Sequence, residues 1–523
     1  MSIRFVLTLF LAATAVGTVT PQPGLCAPYR GESVTILQGK EQGKVPGRYY
    51  LDSRPEHVLW GRLPNRNTKP VLSIPSGSEI TFDTISHEGL LEDQGRDPMA
   101  YFARQGVAPE HVLKEASTIV SAGISHDFDK DGPHIVTGPV HVEGASPGDV
   151  LKVEVLALEP RVPYGVISNR HYKGALPGEF PEERKREADA SPLKPDAYGN
   201  VSVFTPIEKH GDRWFGVLQS DGKALRFPLS PFVGIMGVAP DADESWSSVP
   251  PARIGGNIDI NELGVGSTLY LPVEVAGAKF YVGDPHFAQG DGEVALTALE
   301  GSLRATIRLT VLKQGAAAIP KTNNGNLVSP FAETEQYWIP IGLNEDLDEA
   351  MKIAVRESIG FLSKQFGLDR KLVYAYLSAA VDYEVSQVVD KTKGVHALVP
   401  KADFADFITV ELVAGDVVLP VSILNNVLYV PAEELCTALG MRLTQEASGR
   451  FTMAAPSGKV ECALYSNRYL VSGKPAFLEF SPVEENGTLM LPVQALSEIM
   501  GVAVNWSTEG GTIKGKAVML RGE

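Results

Sequence analysis

Cysteine is scarce: Cys26, Cys436 and Cys462 are the only three in 523 residues. That excludes a disulfide-stapled scaffold and leaves one possible pair, Cys436 with Cys462, in an oxidising compartment. Two buried free thiols fit the same text, and Cys26 leaves with a leader or lies outside the fold. Neither Cys436 nor Cys462 lies near the acidic cluster, which argues against a cysteine nucleophile. Basic charge is also short, with 47 Lys and Arg against 63 Asp and Glu and a formal net charge of −16. The longest basic run is Arg184-Lys185-Arg186, so no basic face exists for a nucleic acid. Long apolar runs are missing as well. Phe5 to Val16 spans twelve residues, and nothing approaches the roughly 18 needed to cross a bilayer. With Arg4 before it, that run predicts a secretory leader over Met1–Ala27, with a cut near Gly17 or Thr20 as the alternative and a buried N-terminal strand as the competing reading. No Gly-Ser-Ser-Gly signature or Gly-X-Ser-X-Gly elbow is present, which argues against a serine hydrolase.

Glycine and proline are plentiful, at 51 and 37, and favour turn-rich β structure over helical bundles. The length allows two to four domains. Pro70–Asp83 reads as a strand, a Pro-Ser-Gly turn and an alternating strand. It leads into the polar group Thr84-Ile-Ser-His-Glu-Gly89 at a strand end. Asp97 to Ala116 reads as a helical or loop insertion. His134 to Leu156 reads as two strands around an Ala-Ser-Pro-Gly-Asp turn, with His141 and Glu143 sharing one face.

From Glu345 the period changes to that of a helix at Leu347, Ala350, Met351, Ala354, Ile359 and Leu362. A second helix is expected over Leu372 to Val388, with Asp382 and Glu384 in its later half. Beyond Lys401, Val427–Leu443 resembles Thr488–Val504. Pro431 and Pro492 are 61 residues apart, as are Gly440 and Gly501. Each copy reads as strand, Pro-started short helix, Gly stop and strand, so the two form a small α+β unit.

The densest chemistry lies in Val282–Val294, VGDPHFAQGDGEV, which packs Asp284, His286, Gln289, Asp291 and Glu293 between glycines. Carboxylates so close repel one another unless a divalent metal holds them or their pKa values shift to suit acid/base work. His, Asp and Glu form the ligand set of a catalytic Zn²⁺ site, and the carboxylate and carbonyl excess would also suit Ca²⁺. An acidic turn between two strands, capped by His286, explains the same residues equally well.

Five stretches resemble the acetamidase/formamidase family: Thr137–Leu156, Pro231–Pro240, Pro250–Ile260, Ser267–Val294 and Ala380–Lys401. The likeness runs in order over residues 45 to 402. The chain departs from the family's pattern at Pro285, where glycine is usual, and at Phe287, where alanine is usual. Both flank the expected site and bear on substrate choice. Residues 406 to 520 resemble the stalk-type domain named for the N-terminal part of copper amine oxidases, which accompanies exported proteins. The resemblance implies a mainly β fold with a β-sandwich core and a helical segment, plus the small α+β repeat domain. It also implies hydrolysis of a short aliphatic amide, of the acetamide or formamide type, to carboxylate and ammonia, a metal-assisted site and a homo-oligomer.

Amide hydrolysis needs an activated water, a polarised carbonyl and a proton for ammonia. A divalent metal, Zn²⁺ first and Ca²⁺ second, is expected among Asp284, His286, His141, Asp259 and Glu293. Glu293, Asp291 and His286 are the expected catalytic groups, with Asp291 in the inner or outer shell and His134 and Glu143 as weaker candidates. The chain is then a secreted or cell-wall-associated enzyme, attached through its C-terminal domain. A non-catalytic, wall-attached protein that binds a metal or small ligand is the competing class.

Overall fold

The computed structural model describes residues 35–316, 318–322, 326–407, 409–424, 427–446, 450–478, 480–509 and 512–519. The expected leader and Cys26 lie outside them. Among the described residues, alternating and β-branched sequence forms two large sheets. One has nine strands, in the order Tyr49–Leu51, Ser78–Asp83, Leu303–Leu312, Val150–Pro160, Thr268–Pro272, Phe331–Glu333, Tyr337–Asn344, Lys393–Pro400 and Asp382–Gln387. The other has eleven. Its main path is Lys223–Pro228, Arg213–Ser220, Val201–His210, Tyr164–Asn169, Leu299–Glu300, Phe280–Ala288, Phe232–Gly237 and Gly255–Asn257. Ile135–Glu143 lies alongside Phe280–Ala288 and also pairs with Val58–Trp60 and Leu72–Pro75.

A single apolar cluster fills the space between the sheets. It draws Phe82, Leu151, Val153 and Ile307 from the first and Val136, Val140, Ile235 and Val282 from the second. The fold is therefore mainly β, with a sandwich core. The strands expected over Pro70–Asp83 both form, but not as a hairpin. Leu72–Pro75 runs parallel to Ile135–Glu143, while Ser78–Asp83 pairs with Tyr49–Leu51 and Leu303–Leu312. The turn before Asp149 likewise passes the chain from one sheet to the other. Stacked sheets lie only about 10 Å apart, so a tight Pro/Gly corner can cross between them as readily as it closes a hairpin.

The helix Leu347–Phe366 starts where the Asp346 carboxylate accepts from the Glu349 N–H and stops at Gly367, whose φ is +69°. Its buried stripe, Ala350, Ala354, Phe361 and Leu362, faces the nine-stranded sheet. The second helix is Arg370–Ala380 and ends earlier than its spacing implied. Asp382–Gln387 is a strand paired with Lys393–Pro400, so Asp382 and Glu384 are strand residues. Val381, Tyr383 and Val385 alternate, and an available sheet edge outweighs helical propensity there.

From Val410 onward a separate apolar cluster, including Leu412, Val430, Leu435, Met453, Leu491 and Leu496, organises three small sheets. The two sequence repeats take one form. Val427–Pro431 and Thr488–Pro492 are strands, and each is followed by a short helix, Ala432–Ala438 and Gln494–Glu498. Gly440 and Gly501 end those turns at φ +67° and +69°. The repeat strands pair antiparallel, with Val430 opposite Leu491, so the copies share one ladder. Cys436 and Cys462 are buried free thiols.

Candidate active site

Phe280–Ala288 lies inside the eleven-stranded sheet, and every residue before Ala288 is buried. Phe232–Gly237 flanks it with Phe232 opposite His286, and on the other side Glu300 lies opposite His286. The strand therefore carries its polar residues into the interior, where they meet groups from six other segments. His286 Nε2 is 3.0 Å from Asp284 Oδ2 and 3.1 Å from Glu300 Oε1. His87 Nδ1 is 3.7 Å from Asp284 Oδ1, and His134 Nε2 is 3.7 Å from Asp284 Oδ2. Asp259, Glu293 and Asp390 form an adjoining all-carboxyl group whose oxygens lie within 4.8 Å of one another. Asp259 also groups with Asp284 and His286 in the same way.

Three of these acids sit in left-handed backbone: Asp284 at φ +52°, Asp259 at +45° and Glu293 at +48°. Each such residue costs about 1–3 kcal/mol, and such strain persists where the surroundings hold it, characteristically at functional sites. Gly234 adds a steric signature. A Cβ there would collide with Asp259 Oδ1 and lie 2.9 Å from Asp284 Oδ2 and 3.0 Å from His286 Cε1. The sheet has left out one side chain where the carboxylates and imidazole converge.

The electrostatics are those of a buried acid excess. Burial pushes Asp390 and Glu300 up to about 7, with Asp284 adding to the rise at both. Asp259 and Glu293 are raised well above the carboxylate range, first by burial and then by Glu293 and Asp390 respectively. Asp284 is the exception. Burial opposes its charge, yet His134, His286 and His87 hold it far below its ordinary value. Burial drives His134 down to about 4, so its ring is neutral and available as a ligand at pH 7. His286 is raised well above normal, against burial, by Glu300 and Asp284.

The outer contacts fix these rings. His134 Nδ1 is 2.9 Å from Ser248 Oγ, which turns Nε2 toward Asp284. His87 Nε2 is 3.2 Å from Glu88 Oε1. Glu88 is held in turn by Arg170 at 3.0 Å and Ser168 at 2.7 Å. A hydroxyl behind the ring, as Ser248 is behind His134, is the usual support of a metal ligand, whereas the Glu88 approach to His87 lacks hydrogen-bond geometry. Several donors lack any hydrogen bond although they are buried: His87 Nδ1, Asp284 Oδ1, both Asp259 oxygens and both His286 nitrogens. His87, His134, Asp284, Glu293, Glu300 and Asp390 line one cavity of about 390 Å³, within the range of small-molecule sites.

Of the residues expected from sequence, the structure brings together Asp284, His286, Asp259 and Glu293, and the weaker candidate His134 joins them. His141 does not. Its ring packs over Gly277, seven residues along the chain from His134 and so roughly 23 Å away at about 3.3 Å per strand residue. Asp291 is also set apart: it is exposed and accepts from Asn261 Nδ2 at 3.2 Å. Glu143 is exposed beside Ser73. The candidate set omitted His87, Glu300 and Asp390. His87 lies in the polar group after Thr84, and Glu300 closes the segment after Val294. Asp390 carried no local signal.

Known proteins match this chain in two parts. A model described as the Acetamidase/Formamidase family matches residues 122–246 and 241–406, and one described as the copper amine oxidase N-terminal domain matches 413–514. A formamidase of Methylophilus methylotrophus is 28% identical over 314 residues, 52% of this chain and 76% of its own length. An acetamidase of Mycolicibacterium smegmatis is 29% identical over 212 residues, and there the chain spans 52% of the relative. A crystal structure of an acetamidase from Bacillus halodurans superposes with TM-score 0.51 at 26% identity, over 68% of this chain and 99% of that one. A structure described as a predicted acetamidase/formamidase from Thermoanaerobacter tengcongensis gives TM-score 0.52 at 25% identity, over 69% and 97%.

Proposed function

Because this chain belongs to the acetamidase/formamidase family, we propose that it cleaves a carboxylic amide to carboxylate and ammonia in the cavity lined by His87, His134 and Asp284. The observation that carries this reading is the set of buried, orphaned donors converging where Gly234 leaves room. Such atoms are costly unless something binds them. Their chemistry fits a divalent cation. His87, His134 and Asp284 would hold Zn²⁺, whose catalytic sites combine imidazole with a carboxylate. The oxygen-only group Asp259, Glu293 and Asp390 would equally suit Ca²⁺. When bound, the cation supplies Lewis acidity, which lowers the pKa of a water and polarises the amide carbonyl.

The remaining work falls to the chain's own side chains. Glu293 lines the same cavity with its carboxyl raised; in its ionised form, which a bound cation would favour, it would take the proton that water loses and return it to the departing nitrogen. Glu300, 3.1 Å from His286 Nε2, sets the negative charge beside that imidazole. Arg170, anchored to Asp93 at 2.8 Å and to Glu88, fixes the wall behind His87. The cavity exceeds the needs of a one- or two-carbon amide, so longer amides belong in the assay. The reading extends to export by the Met1–Ala27 leader, attachment through the C-terminal repeats and assembly as a homo-oligomer.

The test uses the mature chain from about residue 28, with bound metal counted and ammonia release followed on formamide, acetamide and longer amides. Activity lost on chelation and restored by Zn²⁺ is the expected result. Metal-free protein with full turnover would overturn the metal's role. Bound metal without turnover on any amide would favour the non-catalytic binding protein.

A further inference from the structure

A second constellation lies on the far side of the loop that carries Glu293. His396 comes from Lys393–Pro400, and Glu384 lies directly across from it on Asp382–Gln387. Glu262 follows Asn261 in the turn after Asp259, and Asp291 projects from the loop itself. His396 is fully buried, and its Nδ1 is 2.8 Å from Ser386 Oγ. That contact aims Nε2 at Glu262 Oε2, 3.1 Å away, and at Glu384 Oε2, 3.5 Å away. Neither approach has hydrogen-bond geometry, and His396 Nε2 and Glu262 Oε2 are both buried without a partner. Ligand atoms 3.1 and 3.5 Å apart that do not hydrogen-bond one another have close to the spacing of co-ligands on an ion with bonds of about 2.1 Å.

We infer that Glu262, Glu384 and His396, with Asp291 at the rim, form a second divalent-cation site distinct from the catalytic cavity. None of the four residues lines that cavity. One imidazole among carboxylates selects a transition-series cation such as Zn²⁺ or Mn²⁺ over Mg²⁺ or Ca²⁺. Glu262 and Glu384 are half-buried and Asp291 is exposed, so the ion can exchange with solvent. The competing occupant is a proton on His396, because the carboxylates, Glu262 first, raise this imidazole to about 9 against the effect of burial.

The site has a structural consequence. Gln289 Nε2 donates to the carbonyls of Asp259 and Ser386, at 2.9 and 3.1 Å. The Gly292 N–H donates to the Ser386 carbonyl at 3.2 Å, and the Val388 N–H donates to the Gly292 carbonyl at 3.2 Å. The loop is therefore strapped to the strand that supplies Glu384, and a cation bridging Glu384 and Asp291 closes the strap one residue from Gly292. It positions Glu293 from behind without touching the cavity.

The experiment is equilibrium dialysis of the stripped full chain against Zn²⁺, with the metal counted. The wild type is compared with the double variant Glu262→Gln/Glu384→Gln and, separately, with Asp284→Asn. Both glutamates are half-buried at the rim, so the double variant should fold, and an unchanged circular dichroism spectrum verifies it. We expect the double variant to bind one equivalent fewer than wild type while keeping the equivalent that Asp284→Asn loses. A double variant that binds as much Zn²⁺ as wild type overturns the proposal and leaves a protonated His396 between two carboxylates. That outcome does not touch the catalytic reading, which stands or falls on the Asp284→Asn count.

Discussion

Asp284 and His286, two residues apart on one strand, face each other at 3.0 Å between Oδ2 and Nε2, and no hydrogen bond forms between them. Asp284 reaches this position only through its left-handed backbone. It is the group on which His87, His134 and His286 all converge. Asp284→Asn keeps the shape and removes the charge. We expect metal affinity to fall at least 100-fold and turnover to fall by about 10³ or more, since a ligand matters more than the outer contacts that cost 10–100-fold. Metal analysis and initial rates of ammonia release check this, and wild-type rates in the variant would remove Asp284 from the site.

Gly234 tests the same centre from the opposite wall. Gly234→Ala places a methyl group against Asp259, Asp284 and His286. Overpacking typically costs about 1–3 kcal/mol. Here the atoms in the way are the donors, so metal content should drop further than stability does. A variant with full metal and activity would show that the cluster tolerates a filled cradle.

The legible part of this protein was local. Alternation marked the strands, the 3.6-residue spacing marked Leu347–Phe366, and the 61-residue offset marked the C-terminal repeats. The glycine-rich run exposed Asp284, His286 and Glu293 because their backbone demands and chemistry sit side by side. What was not legible depended on which sheet a strand joins. His141 ranked above His134 in text, yet seven residues of strand separate a ring over Gly277 from one aimed at Asp284. Glu300 and Asp390 reach the cavity because Leu299–Glu300 pairs with Phe280–Ala288 and the segment after Gln387 is tied to the loop at Gly292. Glu384 read as a helical acid because the short alternation of Val381, Tyr383 and Val385 was outweighed by the helical spacing before it, and the sheet edge it joins is supplied by Lys393–Pro400.

Phe287 departs from the resembled family's pattern, and its placement changes what that departure means. The ring points away from the cavity into the apolar cluster with Trp60, Tyr164 and Leu303. Gly301 makes room for it, since a Cβ there would lie 2.5 Å from Phe287 Cδ2. Phe287→Ala should therefore cost about 3–5 kcal/mol of stability while leaving KM for the amide close to wild type. Thermal unfolding and steady-state kinetics separate the two effects. A large change in KM with unchanged stability would return Phe287 to substrate selection.

Asp149 closes the turn between the sheets and supplies a pH test away from the active site. Its carboxylate accepts from Lys313 Nζ at 2.8 Å, the Ser146 N–H at 2.9 Å and the Gln314 N–H at 3.1 Å. Although burial opposes ionisation, these donors, Lys313 first, hold it below its ordinary value. A carboxyl depressed in the folded state contributes stability that is complete above the unfolded value of about 3.9 and is lost as pH falls through the lower folded value. Asp149→Asn removes the charge at every pH. We expect the variant to be less stable by about 1.5–3 kcal/mol at pH 7, the range for hydrogen bonds to a charged group. The gap to wild type should hold at pH 5 and narrow at pH 3 and below. Thermal midpoints at those three pH values measure it, and a gap that stays constant down to pH 2 would mean that the turn depends on the shape of Asp149 and not on its charge.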